Sequence, residues 1–367
     1  MTAPLPPRWT TDRAHAWHRA QPRALGANFV PANAINPFEM WQAASFDPAR
    51  IALELAWAQS LGMNAMRVFL HDLLWQQDAA GFKRRIDQVL GTAAAHGIRT
   101  MFVLFDSCWD PVPRLGPQRA PMAGVHNSGW AQGPGAAALS DPASVPRLRA
   151  YVEDIVSAFG QDERVWCWDV WNEPDNQGGG MGYYTPHEAP DKLAHVATLL
   201  PQVFAWARGA APKQPLTSGV WVGNDWRPGS ATLNDIQRCQ LGESDLISFH
   251  DYNWPEVFED RVRQLQAHGR PIICTEYVAR GNGSTFDACL PIARREDLGM
   301  LNWGFVNGRS QTHFPWDSWQ HPYTDAPPPV WFHDVLHGDG RPYREREAEL
   351  LREHAAAPRP LRTRPAP

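Results

Sequence analysis

Val165-Trp-Cys-Trp-Asp-Val-Trp-Asn-Glu-Pro174 is a short apolar run, rich in aromatic and β-branched side chains, that stops on Asn172, Glu173 and Pro174. A run of this length bounded by a turn signal reads as a buried strand, since a helix needs ten residues or more to form. Placing a carboxylate at the end of a buried strand is costly to desolvation, so Glu173 calls for a purpose. A second run has the same form: Pro271-Ile-Ile-Cys-Thr-Glu276-Tyr277.

Similar strand signals lie on both sides, at residues 24–30, 65–70, 100–105, 216–222, 246–250 and 299–306, which with 165–170 and 271–275 makes eight. Amphipathic stretches fall between them, at residues 48–61 (Ile51, Leu55 and Ala58 on one face), 81–96, 145–159, 192–208 and 255–268. Gly62, Gly97 and Gly269 stand where these patterns end, as helix C-cap glycines do. Parallel strands need crossover helices, so strand, helix and glycine in alternation predict an α/β fold, a single-domain (β/α)8 TIM barrel. A doubly wound sheet also alternates, but no G-x-G-x-x-G follows the first strand and no phosphate-binding G-x-x-x-x-G-K-[ST] occurs.

Connections entering strands are short, whereas three leaving them are long: residues 107–146 after the third strand, 174–190 after the fourth and 307–329 after the eighth. In a barrel these share the C-terminal face, where active sites are built. They carry Trp109, His126, Trp130, Tyr183, Tyr184, His313, Trp316 and Trp319. The expected organisation is an N-terminal extension over 1–23, a catalytic domain over 24–354 and a flexible C-terminal tail over 355–367.

Composition narrows the function. The 367 residues are 43% hydrophobic and 20% charged, which excludes a disordered chain. With 34 basic against 39 acidic side chains, no excess of positive charge favours nucleic acid or a membrane surface. Five cysteines (108, 167, 239, 274, 289) form no C-x-x-C pair, so a disulfide framework and a zinc ribbon are both unsupported. No apolar signal segment opens the sequence, which predicts a cytoplasmic protein, or a periplasmic one if a leader has been removed. Tryptophan is overused, 18 residues against 7 Tyr and 15 Phe. Indole has a flat apolar face and one polar edge, which suits sugar rings as well as large cores. Trp166, Trp168 and Trp171 are expected on one face of the fourth strand, packing on the scaffold, and Trp130, Trp303, Trp316 and Trp319 at the barrel mouth.

Polar residues at the predicted strand ends are Arg67, His71 and Asp72 (second), Asp106 (third), Asn172 and Glu173 (fourth), His250, Asp251 and Tyr252 (sixth), Glu276 and Tyr277 (seventh), and Trp303 and Asn307 (eighth). The fourth and seventh strands oppose each other in a barrel, so both glutamates can face one cleft. Two facing carboxylates are what glycosidic cleavage needs, one protonated for the leaving oxygen and one ionised at the anomeric carbon. After the first strand, Asn33 and Asn36 can either meet sugar hydroxyls or cap a turn.

Trp171-Asn-Glu-Pro174, Cys274-Thr-Glu276-Tyr, His250 with Tyr252, Arg67 and Trp303 together resemble a clan A glycoside hydrolase, most like family 5, over residues 24 to 350. The strings GANFVPANAINPFEMWQ (26–42), RVFLHDLLWQQD (67–78) and HFPWDSW (313–319) are similar to bacterial proteins labelled xylanases or cellulase-like hydrolases. The resemblance implies a retaining β-glycoside hydrolase in which Glu173 is the acid/base and Glu276 the nucleophile. It further implies that Asn172 bonds the sugar 2-hydroxyl, that His250 and Tyr252 bracket the catalytic pair, and that Arg67 lowers the pKa of Glu276. Trp303 would be the platform for the sugar ring. The chain departs from the family after the third strand, where Asp106-Ser107-Cys108 stands in place of a sugar-binding histidine. His71 and His126 are the candidates to replace it, with Asp106 as a further substrate contact.

The carboxylate mechanism uses only water, so no cofactor and no metal is implied, and the expected partner is a carbohydrate substrate. Without an export signal the substrates would be short oligosaccharides or small glycosides, which predicts exo-type cleavage. The alternatives are an endo-acting β-glycanase of xylanase, mannanase or cellulase type, and a catalytically weak carbohydrate-binding barrel. A metal-dependent barrel hydrolase, suggested by His71-Asp72, His250-Asp251 and His333-Asp334, lacks an H-x-H pair on the first strand. No motif separates glucose, mannose, xylose and galactose, and none fixes an oligomeric state.

Overall fold

The computed structural model describes residues 6–359. All eight expected strands form: β1 Leu25–Asn28, β2 Ala65–Phe69, β3 Arg99–Val103, β4 Val165–Asp169, β5 Leu216–Thr217, β6 Ile247–His250, β7 Ile272–Glu276 and β8 Gly299–Asn302. They pair in parallel in the order β5-β4-β3-β2-β1-β8-β7-β6. Between β5 and β6, Val220 N–H donates to Ser248 O (3.2 Å) and His250 N–H donates to Val220 O (3.0 Å), which closes the ring. This is the (β/α)8 barrel.

The strands β5 and β8 end four or five residues before their apolar patterns do. Beyond β5, Gly219 lies so close to β6 that an added Cβ would stand 3.3 Å from Ser248 Oγ and 3.4 Å from His250 Nε2. Beyond β8, Gly304 has a φ of 75° and turns the chain out of the barrel, right after Trp303. Register explains the placement of the polar residues: Arg67 pairs with Asn28 on β1 and with Met101 on β3, so side chains of one level meet inside the barrel.

The helices are α1 Thr11–Ala20, α2 Pro37–Trp41, α3 Pro48–Ser60, α4 Asp72–Ala95, α5 Ala136–Ser140, α6 Val145–Phe159, α7 Lys192–Gly209, α8 Asp235–Glu243, α9 Pro255–Gln266, α10 Phe286–Glu296 and α11 Glu345–Ala356. Gly62, Gly97 and Gly269 all take a left-handed φ, between 67° and 79°, just past α3, α4 and α9. The fourth helix starts well before residue 81, at a cap made by His71, and kinks at Asp78. Among the described residues no helix is long and apolar enough to cross a membrane.

The main core fills the space between barrel and helices, and a smaller cluster of Ala65, Met101, Cys167, Leu246, Ile273 and Leu301 plugs the lower barrel. The three tryptophans of the fourth strand do not share one packing face as expected. Trp168 and Trp171 pack on Phe102 and Phe105, whereas Trp166 stacks on Trp17 of α1 with ring centroids 6.0 Å apart. The strand ends at Asp169, so Trp171 lies beyond the alternation. Helix α1 therefore makes the N-terminal extension part of the packed body, with Trp9 also buried. At the other terminus α11 continues two residues past 354, and Arg359 is anchored on Asp297, His18 O and Gln21 O. The remainder of the expected tail, 360–367, lies outside the described residues.

Candidate active site

Arg67 organises the upper barrel. Its side chain is fully buried on β2 and donates to Asn28 Oδ1 (2.7 Å), Asp169 Oδ2 (2.8 and 3.1 Å), Asn172 Oδ1 (2.6 Å) and Glu276 Oε1 (2.7 Å). One guanidinium thus ties β1, β2, β4 and β7 together with nearly all its donors used. A buried arginine survives only with such partners, and here Asp169 and Glu276 supply the compensating charge. Arg67 lies beneath the cleft, where it touches Glu276 and Asn172 rather than forming the cleft wall.

Glu173 and Glu276 end opposed strands, as expected, and each has a carboxylate oxygen within 4.8 Å of the other's. Between them lies His250, with Nδ1 2.9 Å from Glu173 Oε1 and 3.4 Å from Glu276 Oε2. Tyr252 donates its hydroxyl to Glu276 Oε2 at 2.6 Å. Asn176 Nδ2 and Cys108 Sγ donate to Glu173 Oε2, at 2.8 and 3.2 Å. Glu173 itself has a φ of 42°, a left-handed conformation that costs a non-glycine residue on the order of 1 kcal/mol and recurs at functional sites.

Burial pushes the pKa of both carboxyls upward. Arg67 pulls the pKa of Glu276 down, as expected, together with His250, but burial outweighs both. The two groups still differ in environment. Glu276 is in direct contact with a cation and a phenol donor, whereas Glu173 is met by Asn176, Cys108 and His250 Nδ1 and by the more distant charge of Arg67. A cation in direct contact favours the carboxylate form of Glu276 more strongly than neutral donors favour that of Glu173. Burial also lowers the pKa of His250 to about 4, so its imidazole is neutral near pH 7.

These groups open into a cleft of about 480 Å³ on the C-terminal face. Asn172 lines it with its amide fixed at both ends, accepting from Arg67 and donating to Asp106 Oδ1 at 2.9 Å. Trp303 forms one wall, edge-on to Phe69 and Trp130. Trp316 and Trp319 also line the cleft, the latter stacked on Trp109 at 5.4 Å. His126 also lines the cleft, with Nδ1–H donating to Phe314 O, so its Nε2 is left as an acceptor.

Other sequence candidates do not reach the cleft. His71 is buried, caps α4 by accepting from Leu73 N–H on Nδ1, and bonds Gln132 O through Nε2, so it cannot replace the missing histidine. Asp106 is buried behind the wall, where it accepts from Trp130 Nε1 (2.6 Å) and Asn172 and so holds both in place. Trp130 is accordingly buried packing rather than a sugar platform. Asn36 caps α2, and Asn33 bonds Asp47.

Sequence reasoning missed Cys108 and Asn176 as neighbours of Glu173. The departure at Asp106-Ser107-Cys108 was the signal for the first, and the three-residue spacing from Glu173 for the second. It also missed the Gly178–Gly182 segment, which forms a cleft wall: a Cβ on Gly179 would stand 2.2 Å from Trp109. Glu173, His250 and Glu276 are the only group of metal-ligating type found among the described residues. Arg67 already neutralises Glu276 there, so a divalent cation would be forced against a buried guanidinium.

No family model and no curated protein matches the chain. Solved structures do. An exo-β-1,4-mannosidase from Opitutaceae bacterium strain TAV5 aligns over 92% of this chain with a TM-score of 0.60 and 20% identity. This chain spans 60% of that mannosidase's length. GH5_18 from Streptomyces cattleya, solved in complex with Manβ1-4GlcNAc, aligns over 93% of this chain and 83% of its own, with a TM-score of 0.60 and 14% identity. An endo-β-1,4-mannanase from Thermotoga petrophila covers 91% and 76%, with a TM-score of 0.55 and 14% identity. The chain shares their fold. At these identities the likeness concerns backbone architecture, so the chemistry has to be argued from the side chains.

Proposed function

We propose that the protein is a retaining β-glycoside hydrolase. One observation carries this reading: two buried glutamates at the ends of β4 and β7 approach within 4.8 Å, one of them held by Arg67 and Tyr252. Retaining enzymes hold their carboxyls roughly 5–5.5 Å apart, whereas inverting enzymes leave about 6.5–9.5 Å for a water. In the first step Glu276 Oε attacks the anomeric carbon while the glycosidic oxygen leaves with the proton of Glu173. In the second, Glu173 takes a proton from water, the hydroxide adds to the anomeric carbon and Glu276 is released. Asn172, clamped by Arg67 and Asp106, is placed to bond the 2-hydroxyl, and Trp303 to stack on the ring. Tyr252 and Arg67 hold the nucleophile before and after attack.

The mannoside-directed neighbours make β-mannosides the first substrates to test, together with β-glucosides and β-xylosides. The expected activity is release of sugar from a nitrophenyl β-glycoside or a short β-oligosaccharide, with Glu276→Ala and Glu173→Gln each lowering kcat by several orders of magnitude. Wild-type turnover in both variants would sink the assignment. Binding without product across the whole panel would identify a carbohydrate-binding barrel instead. Retention of activity after exhaustive chelation is also expected, and its loss would favour a metal hydrolase.

Exo action is the finer part of the proposal. Long connections after β3, β4 and β8 bring Trp109, Met181 and Trp319 around the cleft, which suits a chain end better than a polymer passing through. Terminal monosaccharide or disaccharide release is expected, and mid-chain fragments from a soluble β-glycan would establish the endo alternative.

A further inference from the structure

On the opposite, N-terminal face of the barrel a cavity of about 240 Å³ lies between the segment preceding β1, Asn64 before β2, and the end of α11. Its polar lining is cationic or donor-bearing, and much of it is unpaired. Arg23 uses Nη2 on His354 O and Ala357 O, at 2.8 and 3.1 Å, while its Nη1 is buried without a partner among the described residues. Arg359 spends Nε on Asp297 and Nη1 on His18 O and Gln21 O, and its Nη2 is likewise buried and unpaired. His354 is 1% exposed, and neither of its ring nitrogens has a partner among the described residues. Leaving a buried donor unsatisfied is costly, and more so when the group is charged, so this concentration of orphans around one cavity asks for an acceptor.

Positive charge is in excess around the cavity. The nearby carboxylate, Asp297, is already paired with Arg359 and His18. The amide of Asn64 is committed at both ends, accepting from Leu25 N–H and donating to Arg23 O. Arg294, exposed on α10 with no ion-pair partner among the described residues, adds a further positive charge that acts on both Arg23 and His354. Burial and those two arginines together hold His354 down to about 3, so without a counterion it stays neutral.

We infer that this cavity binds a phosphate-type oxyanion, either inorganic phosphate or the phosphate group of a small phosphomonoester. A tetrahedral oxyanion carries only acceptors, and it can take one hydrogen bond from each arginine fork and one from His354. The cavity is large enough for more than the anion alone. Binding here would fasten the junction of α1, the start of β1 and the end of α11, far from the glutamate pair, so it is independent of the hydrolase reading.

Calorimetric titration of the full chain with inorganic phosphate, at an ionic strength held constant with chloride, should give a saturable isotherm with one site. Phosphate should also raise Tm by several degrees beyond the chloride control. Arg294→Glu, at an exposed and unpaired position, keeps the fold and should weaken phosphate binding at least tenfold, and Arg23→Gln should abolish it. Tighter binding of a hexose monophosphate than of phosphate assigns the ester as ligand; equal binding assigns the free anion. A phosphate response no larger than that of chloride, or wild-type affinity in Arg294→Glu, overturns the proposal.

Discussion

The two catalytic candidates are both buried glutamates, and what separates them is the set of atoms each carboxylate touches. Tyr252 donates to Glu276 Oε2, and a donor to the charged form lowers a carboxyl pKa. Tyr252→Phe should therefore raise the pKa of Glu276, move the acid limb of the kcat/KM profile to higher pH, and lower kcat/KM by about 10–100-fold, or roughly 1.4–2.7 kcal/mol. Asn176 plays the same part for Glu173 Oε2, so Asn176→Ala should leave the acid limb in place and move the alkaline limb upward, since Glu173 then keeps its proton longer. Opposite limbs responding to the two variants would establish the division of roles; a shift of the same limb in both would refute it. At this scale the sequence disclosed the strand-end residues, because a carboxylate closing an apolar run is conspicuous. It concealed the fates of His71 and Asp106, which look alike in sequence to residues that face the cleft. Whether such a side chain points into the cleft or caps a helix depends on contacts with Gln132 and Trp130, some 25 to 60 residues away in the chain.

The elements were legible in proportion to their local signals. Eight apolar runs of β-type residues with amphipathic stretches between them leave few arrangements other than a barrel, and glycines at the helix ends mark the boundaries. Less visible was the role of α1, whose sequence is polar apart from Ala14, Ala16, Trp17 and Ala20 and reads as an appendage. Its meaning comes from tertiary packing: Trp17 stacks on Trp166, with Trp9 edge-on at 6.2 Å, so the helix closes the lower end of the barrel. Trp17→Ala should cost about 2 kcal/mol, a fall in Tm of a few degrees at this chain length, with kcat unchanged because the catalytic cleft is at the other end. Differential scanning calorimetry alongside a glycosidase assay would check both halves. An unaltered Tm would mean that α1 is peripheral, and a matching loss of kcat would mean that the lower end communicates with the cleft. The glycine-rich wall at Gly178–Gly182 belongs to the same scale. Gly179→Ala would press on Trp109 and disturb its stack with Trp319, so KM should rise several-fold with a smaller change in kcat.

Across the whole molecule, burial of titratable groups shapes how stability depends on pH, and two populations oppose each other. Burial depresses His126 and His354 to about 3 and His250 and His313 to about 4. The unfolded chain takes up these protons near pH 6.5 and the folded chain refuses them, so each such histidine costs stability as pH falls below about 6.5. Burial raises the carboxyl of Asp334 to about 6 and pushes Asp106, Glu173 and Glu276 upward, and these groups act in the other sense. The folded chain keeps protons that the unfolded chain releases, which costs stability as pH rises through the ordinary carboxylate range toward the folded pKa. Between pH 4 and 6.5 the two sets offset each other, and the wild-type curve should be flatter there than either set alone would make it. Removing one member exposes its share. His126→Gln can keep the hydrogen bond to Phe314 O through its amide while abolishing the titration. Relative to wild type it should gain stability steadily on acidification, at about 1.4 kcal/mol per pH unit below 6.5 and reaching about 3 kcal/mol by pH 4, where the folded imidazole is still neutral. Urea unfolding of both proteins at pH 7, 5.5 and 4 measures that difference directly. Parallel stability curves would show that His126 is protonated in the folded state and that its burial carries no titration cost.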